Sequence, residues 1–141
     1  MTALNAYRTV TPTRSAGEEL SSTGEGRHIT VLESDITHPT RTSGFVEKGD
    51  PVSIGASLVG VALNTATAAT DWIAVDTEGI WVLPVIASNE SGTSAVVIGD
   101  TLYIATGVVS KINTGIVYGK ALSALEASAS AANGAVKVHM E

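Results

Sequence analysis

Chemistry at neutral pH needs a nucleophile, a base or a bound metal, and this sequence offers few residues for any of them. Cys is absent, which removes a thiol nucleophile, a thiolate metal site and a disulfide framework. Gly55-Ala56-Ser57-Leu58-Val59 begins like a nucleophile elbow, but Val59 stands where the strained turn needs its second Gly. His28, His38 and His139 each have the chemistry of a general base, yet none has a local partner pattern. All three read as ordinary surface histidines. Asp71, Asp76 and Glu78 form an acidic cluster. Asp76 and Glu78 share a strand face at period two, a weak arrangement for a hard cation, and the simpler reading is a solvated strand end before Gly79. The His spacings do not make a zinc helix, and no calcium-loop or phosphate-loop motif occurs. The sequence therefore assigns no catalytic residue, no cofactor and no metal.

Composition points the same way. The chain has 141 residues, which suits one domain with a real core. Hydrophobic residues make up 44% and charged residues only 16%, with Ser and Thr filling the polar positions. A net charge of −6 argues against nucleic-acid binding by charge. No apolar run approaches the length of a membrane-spanning helix, and Met1–Val10 has no apolar signal region. The expectation is a soluble protein made in a cytoplasm, with no nucleic-acid or membrane partner.

The elements that position these residues are strands. Residues 1–44 read as an extended N-terminal arm with one short strand, His28–Leu32. Residues 45–141 read as a β-barrel-like or β-sandwich core. Its candidate strands are Pro51–Ile54, Leu58–Leu63, Trp72–Asp76, Gly79–Val85, Val96–Ile98, Thr101–Ile104, Ile116–Leu122 and Ala135–His139, each a β-branched or aromatic run bounded by turn residues. Leu58–Leu63 and Gly79–Val85 are almost continuously apolar, as expected of strands covered on both faces. Ala121–Ala132 has helix-forming residues but is diluted by Ser, and a loop with at most two helical turns is expected.

The core repeats internally. Gly49-Asp50-Pro51-Val52-Ser53-Ile54 matches Gly99-Asp100-Thr101-Leu102-Tyr103-Ile104. Val59-Gly60-Val61-Ala62-Leu63 matches Tyr118-Gly119-Lys120-Ala121-Leu122, and Trp72-Ile73-Ala74-Val75 matches Ala135-Val136-Lys137-Val138. Gly-Asp makes a tight corner, and the Gly inside the second strand lets another backbone come close. Two such units can share one core.

Charge separates along the chain. Arg8, Arg14, Arg27 and Arg41 all precede residue 45, and Lys48, Lys111, Lys120 and Lys137 all follow it. Arg suits protein interfaces through bidentate bonds and stacking. Leu4, Tyr7, Arg8, Val10, Arg14 and Arg27 therefore make the arm a candidate docking strand for a protein partner.

Two resemblances follow from these motifs. Lys48–Leu58 is similar to a stretch of biotinyl and lipoyl carrier domains, but no Lys here sits in the hairpin turn those carriers modify. The ordered set Gly49-Asp50-Pro51-Val52, Val59-Gly60-Val61-Ala62, Ile73–Pro84, Ile98–Tyr103, Tyr118–Leu122 and Val136-Lys137-Val138 resembles the capsid cement, or head decoration, proteins of tailed bacteriophages. That resemblance covers residues 45–141. It implies a non-enzymatic structural protein on the outer surface of a virion capsid. The implied partners are the major capsid protein and further copies of the chain itself, as a homotrimer. A glycan-binding or adhesin-type module is the alternative reading, with Trp72 or Trp81 stacking on sugars. Because both Trp fall within apolar strands, they are expected to be largely core.

Overall fold

The computed structural model describes residues 28–39 and 44–138. Twelve strands account for most of it, in two sheets and a small hairpin. In chain order the first five are β1 (His28–Leu32), β2 (Ile36–Thr37), β3 (Pro51–Ile54), β4 (Leu58–Ala62) and β5 (Trp72–Asp76). They form a sheet in the order β1-β5-β4-β3-β2. Then come β6 (Gly79–Ile86), β7 (Ser88–Asn89), β8 (Gly92–Thr93), β9 (Thr101–Ala105), β10 (Val108–Ser110), β11 (Ile116–Ala121) and β12 (Ala131–Val138). Strands β10-β6-β12-β11-β9 close into a barrel, while β7 and β8 make the separate hairpin.

The two halves are one unit built twice. β1 runs antiparallel to β5 as β6 does to β12, and β2 runs antiparallel to β3 as β10 does to β9. The turn chemistry repeats bond for bond. Gly49 N donates to Ala62 O and Gly99 N to Ala121 O, both at 2.8 Å. Ala62 N donates to Asp50 O and Ala121 N to Asp100 O. The Asp50 carboxylate accepts from Glu47 N, and that of Asp100 from Val97 N, both at 2.9 Å. Gly49 and Gly99 hold φ of 91° and 95°, a region open to Gly at little cost. Surroundings then set the two acids apart. Burial pushes Asp50 above its ordinary pKa. The Val97 N–H bond, aided by Lys111, holds Asp100 below it.

The third matched segment aligns two residues away from the sequence reading. Ala62 pairs with Val75 and Ala121 with Val136, so Val75 is the counterpart of Val136 and Asp76 that of Lys137. A slip of two leaves every side chain on the same face, so the apolar pattern alone does not resolve it.

The repeated Gly of the second strand is required by space. A Cβ on Gly60 would lie 2.5 Å from Asp76 O and 2.6 Å from Val75 Cγ1. One on Gly119 would run into Lys137 O. Each half brings its β5 or β12 backbone into the gap that Gly leaves.

Two clusters fill the interior. Ile36, Val46, Val52, Ala62, Ala66, Ile73 and Val75 form the first. Leu83, Val85, Val96, Leu102, Ile104, Val109, Tyr118, Ala121, Val136 and Val138 form the second, joined by Val59 and Val61 from β4. Strand β4 therefore feeds both clusters from its two faces, as its apolar run predicts. The Tyr118 hydroxyl donates to Gly60 O at 2.8 Å across this junction, and burial raises its pKa. The turn between β9 and β10 adds a second junction. Thr106 and Gly107 have φ of 49° and 81°, and a Cβ on Gly107 would strike the backbone of His38 and Pro39.

Strand β6 departs from expectation. Its burial alternates, with Leu83 and Val85 inside and Ile80 and Val82 exposed at 68% and 70%. It is an outer barrel strand with one solvent face. Val96–Ile98 contributes only a bridge from Val96 to Leu125, because Val97 to Asp100 bends into the Gly-Asp turn. The 123–130 segment is a loop, as expected.

The short strand expected at 28–32 pairs along its whole length with β5. A three-residue 3-10 turn, Glu33–Asp35, joins it to β2. Glu33 and His38 are both buried, with Oε2 and Nε2 2.8 Å apart, and Val46 N donates to the same Oε2 at 3.1 Å. His38 is thus a core residue and not a surface one. Removing Glu33 takes a buried acceptor from both the His38 ring and the Val46 amide.

Two outcomes follow for stability in urea. Gly60→Ala and Gly119→Ala should each cost roughly 1–3 kcal/mol through overpacking against backbone. Glu33→Ala should cost at least about 1–3 kcal/mol by removing the buried acceptor shared by His38 and the Val46 amide. Equilibrium unfolding followed by Trp fluorescence checks both, and wild-type midpoints would contradict the packing described.

Candidate functional site

The residues singled out for chemistry are dispersed. Exposed His28 lies 3.9 Å from Asp76, His38 is paired with Glu33, and His139 lies outside the described residues. The acidic cluster is divided among structural tasks. The Asp71 carboxylate accepts from Thr67 N, Thr67 Oγ1 and Ala68 N, and these bonds hold its pKa low. Asp76 is 4% exposed and accepts from Glu78 N. It is therefore a buried strand end and not a solvated one. Among the described residues no three His, Cys, Asp or Glu side chains gather as a metal would require.

Lysines are occupied unevenly. Lys111 Nζ donates to Ala95 O at 2.7 Å and to Ser94 Oγ, and sits 3.4 Å from Asp100. Lys120 Nζ donates to Thr101 Oγ1 at 2.9 Å. Lys137 is exposed and has no partner among the described residues.

Neither Trp is fully buried. Trp72 and Trp81 are partly buried, at the margin of the core placement expected from their strands. Trp81 still packs against the second cluster, and its Nε1 is buried without a hydrogen-bond partner. The ring is engaged in packing and is not a free stacking platform.

What the described surface offers is an apolar sheet face. On the outside of the barrel, Val82 stands opposite Ala135, and Ala135 O accepts from Leu122 N. One step along, Ile80 stands opposite Lys137, and Lys137 opposite Lys120. Pro84 extends the row on β6 and is also exposed. The turn carrying exposed Val97 and Ile98 borders Leu122, because Gly99 N is bonded to the adjacent Ala121 O. Sequence reading missed this face because a continuous apolar run hides which alternate residues face out. The arm residues Leu4, Tyr7, Arg8, Val10, Arg14 and Arg27 all lie outside the described residues.

No helix among the described residues is long and apolar enough to cross a membrane. No curated protein and no solved structure matches the chain. A family model described as phage cement protein does match it, over residues 29–139. That span takes in β1 and both copies of the repeated unit, so the chain belongs to the phage cement protein family.

Proposed function

We propose that this chain is a capsid decoration protein that binds the outside of a mature phage head and ties neighbouring major capsid subunits together. The family match over residues 29–139 carries this reading. The protein is made in the host cytoplasm and joins the virion as a homotrimer, acting by adhesion with no bond made or broken.

Binding in this way stabilises by mass action. A ligand that engages only the assembled shell lowers that state's free energy, by about 2.7 kcal/mol per site at a hundredfold excess over Kd. Many copies on one head sum this effect and gain from avidity.

Residues 1–27 serve as the docking arm, with Leu4, Tyr7 and Val10 as apolar anchors and Arg8, Arg14 and Arg27 pairing with carboxylates. An extended arm can add a strand to an exposed edge, where main-chain bonds supply affinity. Deleting residues 2–27 should lower affinity for purified heads by about tenfold or more, equivalent to about 1.4 kcal/mol. Co-sedimentation of full-length and truncated protein with heads measures it. Decoration as tight as wild type would refute the arm's role, and failure of the full chain to bind any head would refute decoration itself.

A further inference from the structure

The internal duplication allows one half of the molecule to be read against the other. In the first half, one cross-strand row over β4, β5 and β1 is Val61, Asp76 and His28. Its counterpart in the second half, across β11, β12 and β6, is Lys120, Lys137 and Ile80. Val61 is fully buried, in one cluster with Leu83, Leu102 and Tyr118 of the second half, and Asp76 is 4% exposed. The same face is therefore an interface in one copy of the unit and bare in the other. The bare copy carries Ile80 and Val82, each about two-thirds exposed, on a strand whose buried side is otherwise ordinary barrel core. Isolated exposed apolar side chains are common, but a row continuous with Leu122 and the Val97-Ile98 turn is a patch.

Charge indicates what covers it. The described residues before Gly79 hold seven carboxylates, Glu33, Asp35, Glu47, Asp50, Asp71, Asp76 and Glu78, against the one cation Lys48. Those from Gly79 onward hold Glu90, Asp100 and Glu126 against Lys111, Lys120 and Lys137. Among the described residues one half is thus acidic and the other neutral. The bare face adds two adjacent lysines in register, of which Lys137 has no partner among the described residues. Like charges paired across strands destabilise a monomer slightly, and a facing carboxylate reverses that penalty.

We propose that the outer face of β6, β12 and β11 is a self-association surface whose occupant is the acidic first half of a second copy. Such a contact is head-to-tail. Ile80, Val82 and Leu122 supply the buried apolar centre, and Lys120 and Lys137 the charged rim that sets orientation. Exposed Asp35 and Glu47 of the neighbouring copy supply the opposing carboxylates. Head-to-tail contacts close into rings when the rotation permits. This deepens the self-association within the proposed function and rests on that reading.

The test uses the full chain in solution without heads, so its failure is separable from failure to decorate. Sedimentation velocity on wild-type protein should show an oligomer that weakens with added salt. Val82→Glu should shift it to monomer, and so should the double reversal Lys120→Glu with Lys137→Glu. These positions face outward, and far-UV circular dichroism with a cooperative melt checks that each variant folds. If Val82→Glu does not fold, the lysine reversal decides. Adding Asp35→Lys and Glu47→Lys to the lysine-reversed chain should restore association, at least tenfold over the reversed chain alone. A monomeric wild type, oligomers unaffected by either substitution, or no rescue by the acidic-half reversal would each overturn the proposal.

Discussion

From Val59 to Ala62 strand β4 has no solvent face, and the rest of the molecule is arranged around that constraint. Val59 and Val61 point into the second cluster while Ala62 points into the first. Each buried Val contributes roughly 1.5–3 kcal/mol, so one short strand anchors both halves. Doubly covered backbone leaves no access to water, and every neighbour must come close enough to bond. Gly60 makes that approach possible for β5, and the Tyr118 hydroxyl satisfies Gly60 O from the far side. A larger residue at 60 or a mute ring at 118 disturbs two cores and not one.

Polar side chains are consumed by the same architecture. Asp50 and Asp100 close matched corners, Asp71 caps a turn, and Glu33 holds both His38 and the Val46 amide. Lys111 braces the loop at Ser94 and Ala95. Much of the charge in the described residues is thus spent on shape, while the outer face of β6 exposes Ile80 and Val82.

Much of this was legible because β-strands write their environment into a period of two. Strands β3 and β5 fall at the residues expected, and β4 reads as doubly covered and is so from Val59 to Ala62, while Leu58 is exposed. The duplication was visible in the Gly-Asp corners and in the paired Gly60 and Gly119, since each residue type meets a local steric demand. The failures share a cause. The third repeat segment slipped by two because alternation is blind to an even shift. Strand β6 looked buried because Ile80, Val82 and Pro84 are apolar by composition while facing out. Strands β2, β7, β8 and β10, two or three residues long, are too short to show a period and form only because neighbours pair with them. The Glu33–His38 pair joins residues five apart through a turn, and no spacing rule announces it. Of the candidate site, the arm was read from residue types that lie outside the described chain, whereas the bare face emerged only from three-dimensional register.

The seating of Gly107 on His38 and Pro39 has a consequence for how the two halves hold together. The second copy of the repeated unit is keyed into a loop of the first. Neither half is now a portable module: split apart, one loses the two valines that complete its interior and the other loses the lid over its loop. The pair should behave as a single cooperative foldon, and any shuffling of this architecture among genomes must carry both halves together.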